Sequence, residues 1–277
     1  MEAITAALCR ALLPKRSRDG HKGTFGKVAV IGGAVGYTGA PVYAGEAAAR
    51  TGSGLVFVGV PEEVYPIVAA RCGASMAYPL PADCQAVKAK LTDCDAVLLG
   101  PGLGNDPGMR QMALKLLAEL ENPVVLDADG INAAAAHIDV LRDRRAPTVV
   151  TPHAVEFARL GGDLTPGREE AAARFASEKG CVTVLKGPGT IVAAPDGRIR
   201  RNTTGSDALA KGGTGDVLAG VVISLIGQGA DLFDAASLAV WLHGRAGDLC
   251  EKRLTAYGVT PEDVVAAIPA AIRELLE

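Results

Sequence analysis

The stretch GKVAVIGGAVGYTGAPVYAGEAAARTGSGLVFVGV, Gly26–Val60, indicates how the whole chain is organised. It begins with an apolar run of strand length that ends in glycines, which is typical of a buried strand. Ala40–Gly52 follows with the signals of a helix, a proline in its first turn and a glycine at its end. A second apolar run, Gly54–Val60, comes directly afterwards. A strand, a helix and a strand in this order predict a parallel pair joined by a helical crossover.

The same alternation continues along the rest of the chain. Further strands are predicted within Cys94–Gly100, Pro123–Gly130, Pro147–His153 and Cys181–Arg200, the last with a hairpin around PDG. Helices are predicted at Ala3–Leu13, Asn105–Leu120, Arg168–Gly180, Val217–Ile226, Ala235–Cys250, and from Pro261 with Thr260 as its cap. No repeat or linker divides the chain. We therefore predict an α/β fold with three α/β/α layers and a mostly parallel central sheet, formed as a single domain by residues 1–277.

The composition excludes several classes of partner. Aromatic residues make up only 4% of the chain and the formal net charge is -3, so stacking platforms and basic surfaces for nucleic acid are lacking. No apolar run is long enough to span a bilayer, so we expect no membrane partner. The 6 cysteines form no CxxC pair and the 4 histidines have no paired spacing, which excludes a zinc signature. Scattered thiols fit a reducing compartment, and we expect a cytoplasmic protein.

Five loops rich in glycine, proline or polar residues each follow a predicted strand. They are Gly32–Gly39, Gly100–Gly104, Asp127–Asn132, Thr151–Glu156 and Gly187–Gly189. The carboxyl ends of parallel strands meet at one edge of a sheet, and ligands bind there. The sequence therefore predicts one composite site.

A lone carboxylate, Asp216, lies in NTTGSDALAKGGTGDVLAGVV, Asn202–Val222, between a glycine run and an apolar helix. Helix N-termini attract anions and glycines let a ligand approach the backbone, so this loop suits a phosphate. Asp216 is either a first-turn acid that the helix dipole favours or a general base. A purely structural anion would repel the phosphate, so we favour the base. It would take a proton from an attacking hydroxyl while backbone N–H groups stabilise the phosphoryl group.

Two further glycine motifs have competing interpretations. KGPGT, Lys186–Thr190, is either a plain turn between strands or a partner of GGTGD that holds the other end of a nucleotide polyphosphate. GGAVGYTG, Gly32–Gly39, lacks the G-x-G-x-x-G spacing of a dinucleotide fingerprint, so we interpret it as a close approach of backbone to ligand or as a tight turn.

Several polar side chains are also open to two interpretations. In TPHAVEF, either Thr151 or His153 caps a helix, or His153 faces a substrate while Glu156 reaches a water or Mg²⁺. In LDADGIN, Asp127 and Asp129 are caps or polar lining. His243 lies on a helix with an apolar face, where we expect a half-buried histidine whose hydrogen bonds are satisfied.

In its motifs and their order, the chain resembles the ADP/ATP-dependent NAD(P)H-hydrate dehydratases, a branch of the ribokinase-like superfamily. The motifs are GKVAVIGGAVGYTGAPVYAGEAAARTGSGLV, GPGLG, VVLDADGIN, TPHAVEFARL, VLKGPGTIV and NTTGSDALAKGGTGDVLAGVV. They cover about His21 to Ala246. GGTGD alone marks only the superfamily, whereas its combination with TPHxxEF and GPGLG is far more specific. One departure is the loop GGAVGYTGA, in which the resemblance leads us to expect a serine after the glycines.

The resemblance implies a ribokinase-like fold and a repair reaction. (6S)-NADHX or (6S)-NADPHX would be dehydrated to NADH or NADPH while ADP is cleaved to AMP and phosphate. ADP or ATP would be the phosphoryl donor, with Mg²⁺ held mainly by phosphate oxygens and waters, so no protein residue is named as a metal ligand. A homo-oligomer, a tetramer, is also implied.

The resemblance also assigns roles to residues. Asp216 would be the catalytic base and contact the substrate hydroxyl. The adenine nucleotide would be bound by Lys186, Gly187, Pro188, Gly189, Thr190, Gly213, Thr214 and Gly215. The pocket for the hydrate would be lined by Ala40, Gly102, Leu103, Gly104 and His153.

Three other functions are compatible with parts of the sequence. A kinase for the alcohol of a vitamin precursor would keep the fold and release a stable phosphate ester. A regulatory protein would bind nucleotide without turnover, which the intact Asp216 and anion loop disfavour. A nicotinamide oxidoreductase is disfavoured by the glycine spacing.

Overall fold

The computed structural model describes residues 1–277 and contains one 10-stranded sheet. The strands are β1 (Glu2–Ile4), β2 (Lys27–Ile31), β3 (Leu55–Val60), β4 (Met76–Pro79), β5 (Ala96–Leu99), β6 (Val124–Leu126), β7 (Thr148–Val150), β8 (Val182–Leu185), β9 (Ile191–Ala193) and β10 (Ile199–Asn202). Their order across the sheet is β1-β10-β9-β8-β7-β6-β5-β2-β3-β4. Neighbouring strands are parallel except at β9, which is antiparallel to both β8 and β10. The predicted mostly parallel sheet is thus confirmed.

Helices cover both faces of this sheet. They are α1 (Ala6–Leu12), α2 (Gly39–Thr51), α3 (Tyr65–Arg71), α4 (Cys84–Leu91), α5 (Pro107–Glu119), α6 (Ala128–Ala134), α7 (Val140–Asp143), α8 (Ala154–Arg159), α9 (Arg168–Lys179), α10 (Thr214–Gly227), α11 (Leu232–Gly258) and α12 (Pro261–Leu276). Alternate side chains of β2 point to opposite faces, so Val28 and Val30 join one core while Ala29 and Ile31 join the other. The first core includes α2, α10, α11 and α12, and the second includes α5 and α9.

Helix α10 is buried on nearly all sides, which explains its almost uniformly apolar sequence. It packs closely on α2 because Gly220 has no side chain. A Cβ at Gly220 would lie 2.2 Å from the carbonyl oxygen of Ala44. This close packing holds the N-terminus of α10, which carries Asp216, in a fixed place against the sheet.

Two sequence predictions are wrong in detail, and one edge strand was not predicted. Ala3–Leu13 is not one helix, because Ala3 and Ile4 pair with β10 and the helix begins after Thr5, whose hydroxyl accepts a hydrogen bond from the N–H of Leu8. The predicted loop Asp127–Asn132 is largely the first part of α6. The edge strand β4 was not predicted, since its short segment has no buried apolar run and its middle residues are only partly buried.

No helix of this chain combines the length and apolar character that crossing a bilayer requires. All 6 cysteines are free thiols.

Candidate functional site

The predicted loops lie along one edge of the sheet. The strands β8, β7, β6, β5 and β2 are consecutive and parallel, so the segments that follow them emerge side by side. The N–H of Gly33 donates to the carbonyl of Pro101 at 2.9 Å, which joins the first loop to the GPGLG loop. The N–H of Gly104 donates to Asp129 Oδ2 at 2.8 Å, which joins that loop to the start of α6. The structure therefore brings segments that are distant in sequence together along one edge of the sheet.

Both glycine turns of the predicted nucleotide site open into the same cavity. The cavity has a volume of about 440 Å³ and includes Lys186–Thr190 on one side and Thr214–Gly215 on another. The segment between Asn202 and Leu209 and the helix positions His243 and Gly244 complete its wall. Of the residues assigned to the nucleotide, only Gly213 lies outside this wall.

The N-terminus of α10 presents free backbone donors. The N–H groups of Gly213, Gly215 and Asp216 make no hydrogen bond within the protein. No side chain caps this helix, whose N-cap is Gly213 with φ 96. Asp216 stands in the first turn but does not accept the reciprocal bond of a capping box. The geometry therefore favours an anion site over the structural interpretation of Asp216.

A buried ion-pair network underlies the Asp216 carboxylate. Lys186 Nζ donates to Asp127 Oδ1 at 2.9 Å and lies 3.7 Å from Glu156 Oε2. Asp127 is 1% exposed and Glu156 6% exposed, so both carboxylates depend on this cation and on hydrogen bonds for their stability. The hydroxyl of Thr151 donates to the same Asp127 oxygen at 2.6 Å. Asp127 is thus an anchor for Lys186 and does not cap α6.

The pKa of Asp216 is raised to about 7, mainly because its carboxyl group is desolvated. The negative charge of Asp127 raises it further, as do Asp129 and Glu156 more weakly, while the Lys186 ammonium lowers it. A carboxyl group with a pKa near neutrality and a place in a cleft is suited to general-base catalysis.

We expect a pH dependence of activity that follows Asp216. A general base at Asp216 would act only when ionised, so kcat/KM should rise with pH through about 7 and fall by about tenfold per pH unit below that value. A pH profile of kcat/KM, with circular dichroism at each pH to show that the fold persists, would measure this. An acid limb centred near pH 4 would mean that the carboxylate has an ordinary pKa.

His153 is the N-cap of α8. Its Nδ1 accepts from the N–H groups of Val155 at 3.1 Å and Glu156 at 3.3 Å, while Glu156 Oε2 accepts from the N–H of His153 at 2.8 Å. This capping box confirms the structural interpretation of the TPHAVEF motif for His153, whereas Thr151 bonds Asp127 and not the helix. The side chain of His153 is still 51% exposed, so a ligand contact by this side chain stays a prediction.

The residues assigned to the hydrate pocket differ in how exposed they are. Ala40 lies against the GPGLG loop, since a Cβ at Gly102 would be 3.0 Å from the Ala40 Cβ. Leu103 is 1% exposed as a whole residue, so both its side chain and its backbone are buried. The glycine at position 32 serves the contact between loops, because a Cβ there would lie 2.2 Å from the carbonyl oxygen of Pro101. Gly32 thus makes a close backbone contact with another loop, and the approach of the first loop to a ligand stays a prediction.

The prediction that His243 has its hydrogen bonds satisfied is wrong. Its Nε2 is buried and has no hydrogen-bond partner. Burial lowers the pKa of His243 to about 4, so the ring is neutral at physiological pH. His243 also belongs to the wall of the 440 Å³ cavity. This position was not evident from the sequence, because His243 lies in an apolar helix segment.

No group of three or more histidine, cysteine, aspartate or glutamate side chains is arranged to hold a metal ion. Asp127 and Glu156 already share Lys186. The donor set fits Mg²⁺ only as a companion of nucleotide phosphates, with water completing its coordination.

The sheet order, the two helix layers and the glycine-bounded start of α10 define a ribokinase-like α/β protein. A family model described as NAD(P)H-hydrate dehydratase matches residues 28–270. The chain belongs to this family.

Individual relatives agree with the family assignment. The chain is 38% identical over 287 residues to a bifunctional NAD(P)H-hydrate repair enzyme Nnr of Moorella thermoacetica, covering 99% of this chain and 54% of the relative. It is 37% identical over 245 residues to an ADP-dependent (S)-NAD(P)H-hydrate dehydratase of Neisseria meningitidis serogroup B, covering 86% and 81%. The chain spans about half the length of the bifunctional relatives it matches.

A solved structure supports the same assignment. The ADP/ATP-dependent NAD(P)H-hydrate dehydratase of Bacillus subtilis, co-crystallised with ATP and Mg²⁺, superposes with a TM-score of 0.84 at 31% identity. The match covers 99% of this chain and 98% of that chain.

Proposed function

We propose that this chain is an ADP-dependent (S)-NAD(P)H-hydrate dehydratase, which converts (6S)-NADHX or (6S)-NADPHX to NADH or NADPH while ADP is cleaved to AMP and phosphate. The observation that carries the proposal is the position of Asp216, with its raised pKa, beside the free N–H groups of α10 and next to the cavity that contains Lys186–Thr190. The names of the Neisseria and Bacillus relatives support the choice of substrate and nucleotide.

The first step is a phosphoryl transfer. Asp216 takes the proton of the 6-hydroxyl group of the hydrate, and the hydroxyl oxygen attacks the terminal phosphorus of ADP. The bond from that phosphorus to the bridging oxygen breaks, and AMP leaves. The free N–H groups of Gly213, Gly215 and Asp216 stabilise the negative charge on the oxygens of the phosphoryl group during its transfer. Mg²⁺ would neutralise phosphate charge, held by phosphate oxygens and waters.

The second step is an elimination that the substrate itself drives. Hydroxide is a poor leaving group at neutral pH, whereas phosphate is a good one. The lone pair of the ring nitrogen of the tetrahydropyridine expels phosphate from C6, and loss of a proton from C5 to water restores the C5–C6 double bond of the dihydropyridine. The protein has to hold the ring and exclude water during this step. We assign that role to Ala40, the Gly102–Gly104 segment and His153, none of which lines the nucleotide cavity.

An assay of reaction products tests the proposal. The purified chain, (6S)-NADHX, Mg²⁺ and ADP should together produce the near-ultraviolet absorbance of NADH, with AMP and phosphate released in equal amounts. The matched controls omit nucleotide or replace ADP with AMP, and neither should give NADH. A stable phosphate ester without NADH would instead identify a small-molecule kinase. Binding of ADP without turnover would identify a regulatory protein. An ATP-supplied reaction compared with the ADP reaction would decide the preferred donor.

A further inference from the structure

Arg168 is placed against the local electrostatic preference of its helix. It is the first residue of α9, where the helix dipole disfavours a positive charge. The same turn contains Glu169 and Glu170, yet the Arg168 guanidinium forms no ion pair with either. Its charge is half-buried, and this burial lowers the pKa of Arg168. A residue that breaks a local rule needs a compensating contact elsewhere in the fold.

The compensating contact is with the KGPGT turn. Arg168 Nη2 donates to the carbonyl oxygen of Leu185 at 2.9 Å, and Nη1 donates to that of Pro188 at 2.6 Å. Leu185 ends β8 immediately before the turn, and Pro188 lies at its centre. The planar guanidinium therefore ties the end of the strand to the middle of the turn, which a single ammonium group cannot do in the same way.

The two glycines of this turn make room for positively charged neighbours. A Cβ at Gly187 would lie 2.8 Å from Arg168 Nη2, and a Cβ at Gly189 would lie 2.7 Å from Arg201 Nε. Gly187 has φ 145 and Gly189 has φ 59, backbone conformations that L side chains rarely adopt. Arg201 is 51% exposed and lies 3.4 Å from Glu169, so its charge is partly neutralised. Arg168 is thus the cation behind the turn without a carboxylate partner.

We infer that Arg168 is a positioning residue that shapes the KGPGT turn for the nucleotide and places a positive charge behind it. The inference rests on the proposed function, because ADP is the ligand to which the turn is assigned. An anionic ligand should benefit from both effects, whereas an uncharged nucleoside should benefit only from the shape of the turn.

Calorimetric binding of ADP and of adenosine tests the inference without relying on turnover. Arg168→Met removes both hydrogen bonds and the charge, and should weaken ADP binding by about tenfold or more, since a hydrogen bond to a charged group is a strong one. Arg168→Lys keeps the charge but loses the fork, and should bind ADP with an intermediate affinity. In Arg168→Met, the binding of adenosine should be weakened less than the binding of ADP. The KM for the hydrate and kcat at saturating ADP should change by no more than about twofold.

Arg174→Met is the matched control. Arg174 is on the same helix and has the same charge, but its guanidinium pairs with the exposed Asp163 at 3.3 Å and makes no hydrogen bond to the turn. Its replacement should leave ADP affinity unchanged.

The outcomes separate the inference from the proposed function. A wild-type protein that binds no ADP would overturn the proposed function and with it the ligand named here. A wild-type protein that binds ADP, with an Arg168→Met variant of equal affinity, would overturn the inference alone. Equal losses toward ADP and hydrate would also overturn it, because they would indicate general disorder of the cleft. If Arg168→Met does not fold, Arg168→Lys decides, and an ADP affinity equal to that of the wild type would count against the inference.

Discussion

Replacement of Asp216 by asparagine should lower kcat by at least about 100-fold while leaving ADP affinity within about threefold of wild type. Asparagine keeps the shape of the side chain but cannot accept the proton of the substrate hydroxyl. The N–H groups of Gly213 and Gly215 that are assigned to the phosphate belong to the backbone and stay in place. Single-turnover rates and calorimetric ADP binding would measure the two quantities separately.

The same variant should gain stability at alkaline pH, which gives a second readout. The pKa of Asp216 is raised by folding, so the folded state binds a proton more tightly than the unfolded state does. The free energy of unfolding of the wild type should therefore decrease as pH rises between about 4 and about 7, and Asp216→Asn should lack this decrease. Denaturation of both proteins at about pH 5 and about pH 8 would show it. If the variant keeps nearly full activity, Asp216 is not the catalytic base but only an acidic residue in the first turn of α10.

Replacement of Lys186 by methionine should lower the free energy of unfolding by about 3–5 kcal/mol, because it leaves a buried carboxylate without its cation. Asp127 is 1% exposed and accepts from Lys186 Nζ at 2.9 Å, and the remaining Thr151 hydroxyl cannot neutralise it. The variant should also move the acid limb of the kcat/KM profile to higher pH, since the Lys186 ammonium lowers the pKa of Asp216. Urea denaturation and the pH profile are the two measurements.

A double variant provides the control for Lys186. Asp127→Asn combined with Lys186→Met removes the cation and the carboxylate that it contacts at 2.9 Å, so part of the stability lost in Lys186→Met should return, while the buried Glu156 still lacks the cation. The asparagine side chain introduced by Asp127→Asn would still accept the hydrogen bond from Thr151. If the free energy of unfolding of Lys186→Met is within about 1 kcal/mol of the wild-type value, the carboxylates do not need the cation, and the network contributes little to stability.

The fold could be predicted because each element has its own local signal. Lys27–Ile31 and Leu55–Val60 are apolar almost throughout, as strands buried on both faces must be, and α2 between them ends at Gly52, which adopts the left-handed conformation of a C-cap. Where a local signal was weak, prediction failed. The three residues of β1 form a strand only because they pair with β10. The local sequence of β1 does not indicate this distant pairing partner.

The candidate site was predictable only in part. Parallel strands place their following loops at one edge, so the convergence of the glycine loops followed from the strand pattern. The contacts within that edge did not follow. Lys186 was assigned to the nucleotide from its motif, yet its ammonium group pairs with Asp127 and Glu156, which are far from it in the chain. One signal was available: Asp127 and Glu156 follow neighbouring strands, β6 and β7, and Lys186 follows the next strand, β8.

By itself, the order of apolar runs, glycines and caps determined the layers of this protein, the edge at which its loops meet, and the residue types present there, since these depend on backbone preferences and on burial of each segment. Only the tertiary structure decided which charges face one another, that Asp216 is desolvated among them, that His243 loses its hydrogen-bond partner, and that Arg168 supports a turn twenty residues away. Electrostatic energies depend on distance and desolvation in three dimensions, and residues far apart in sequence set both.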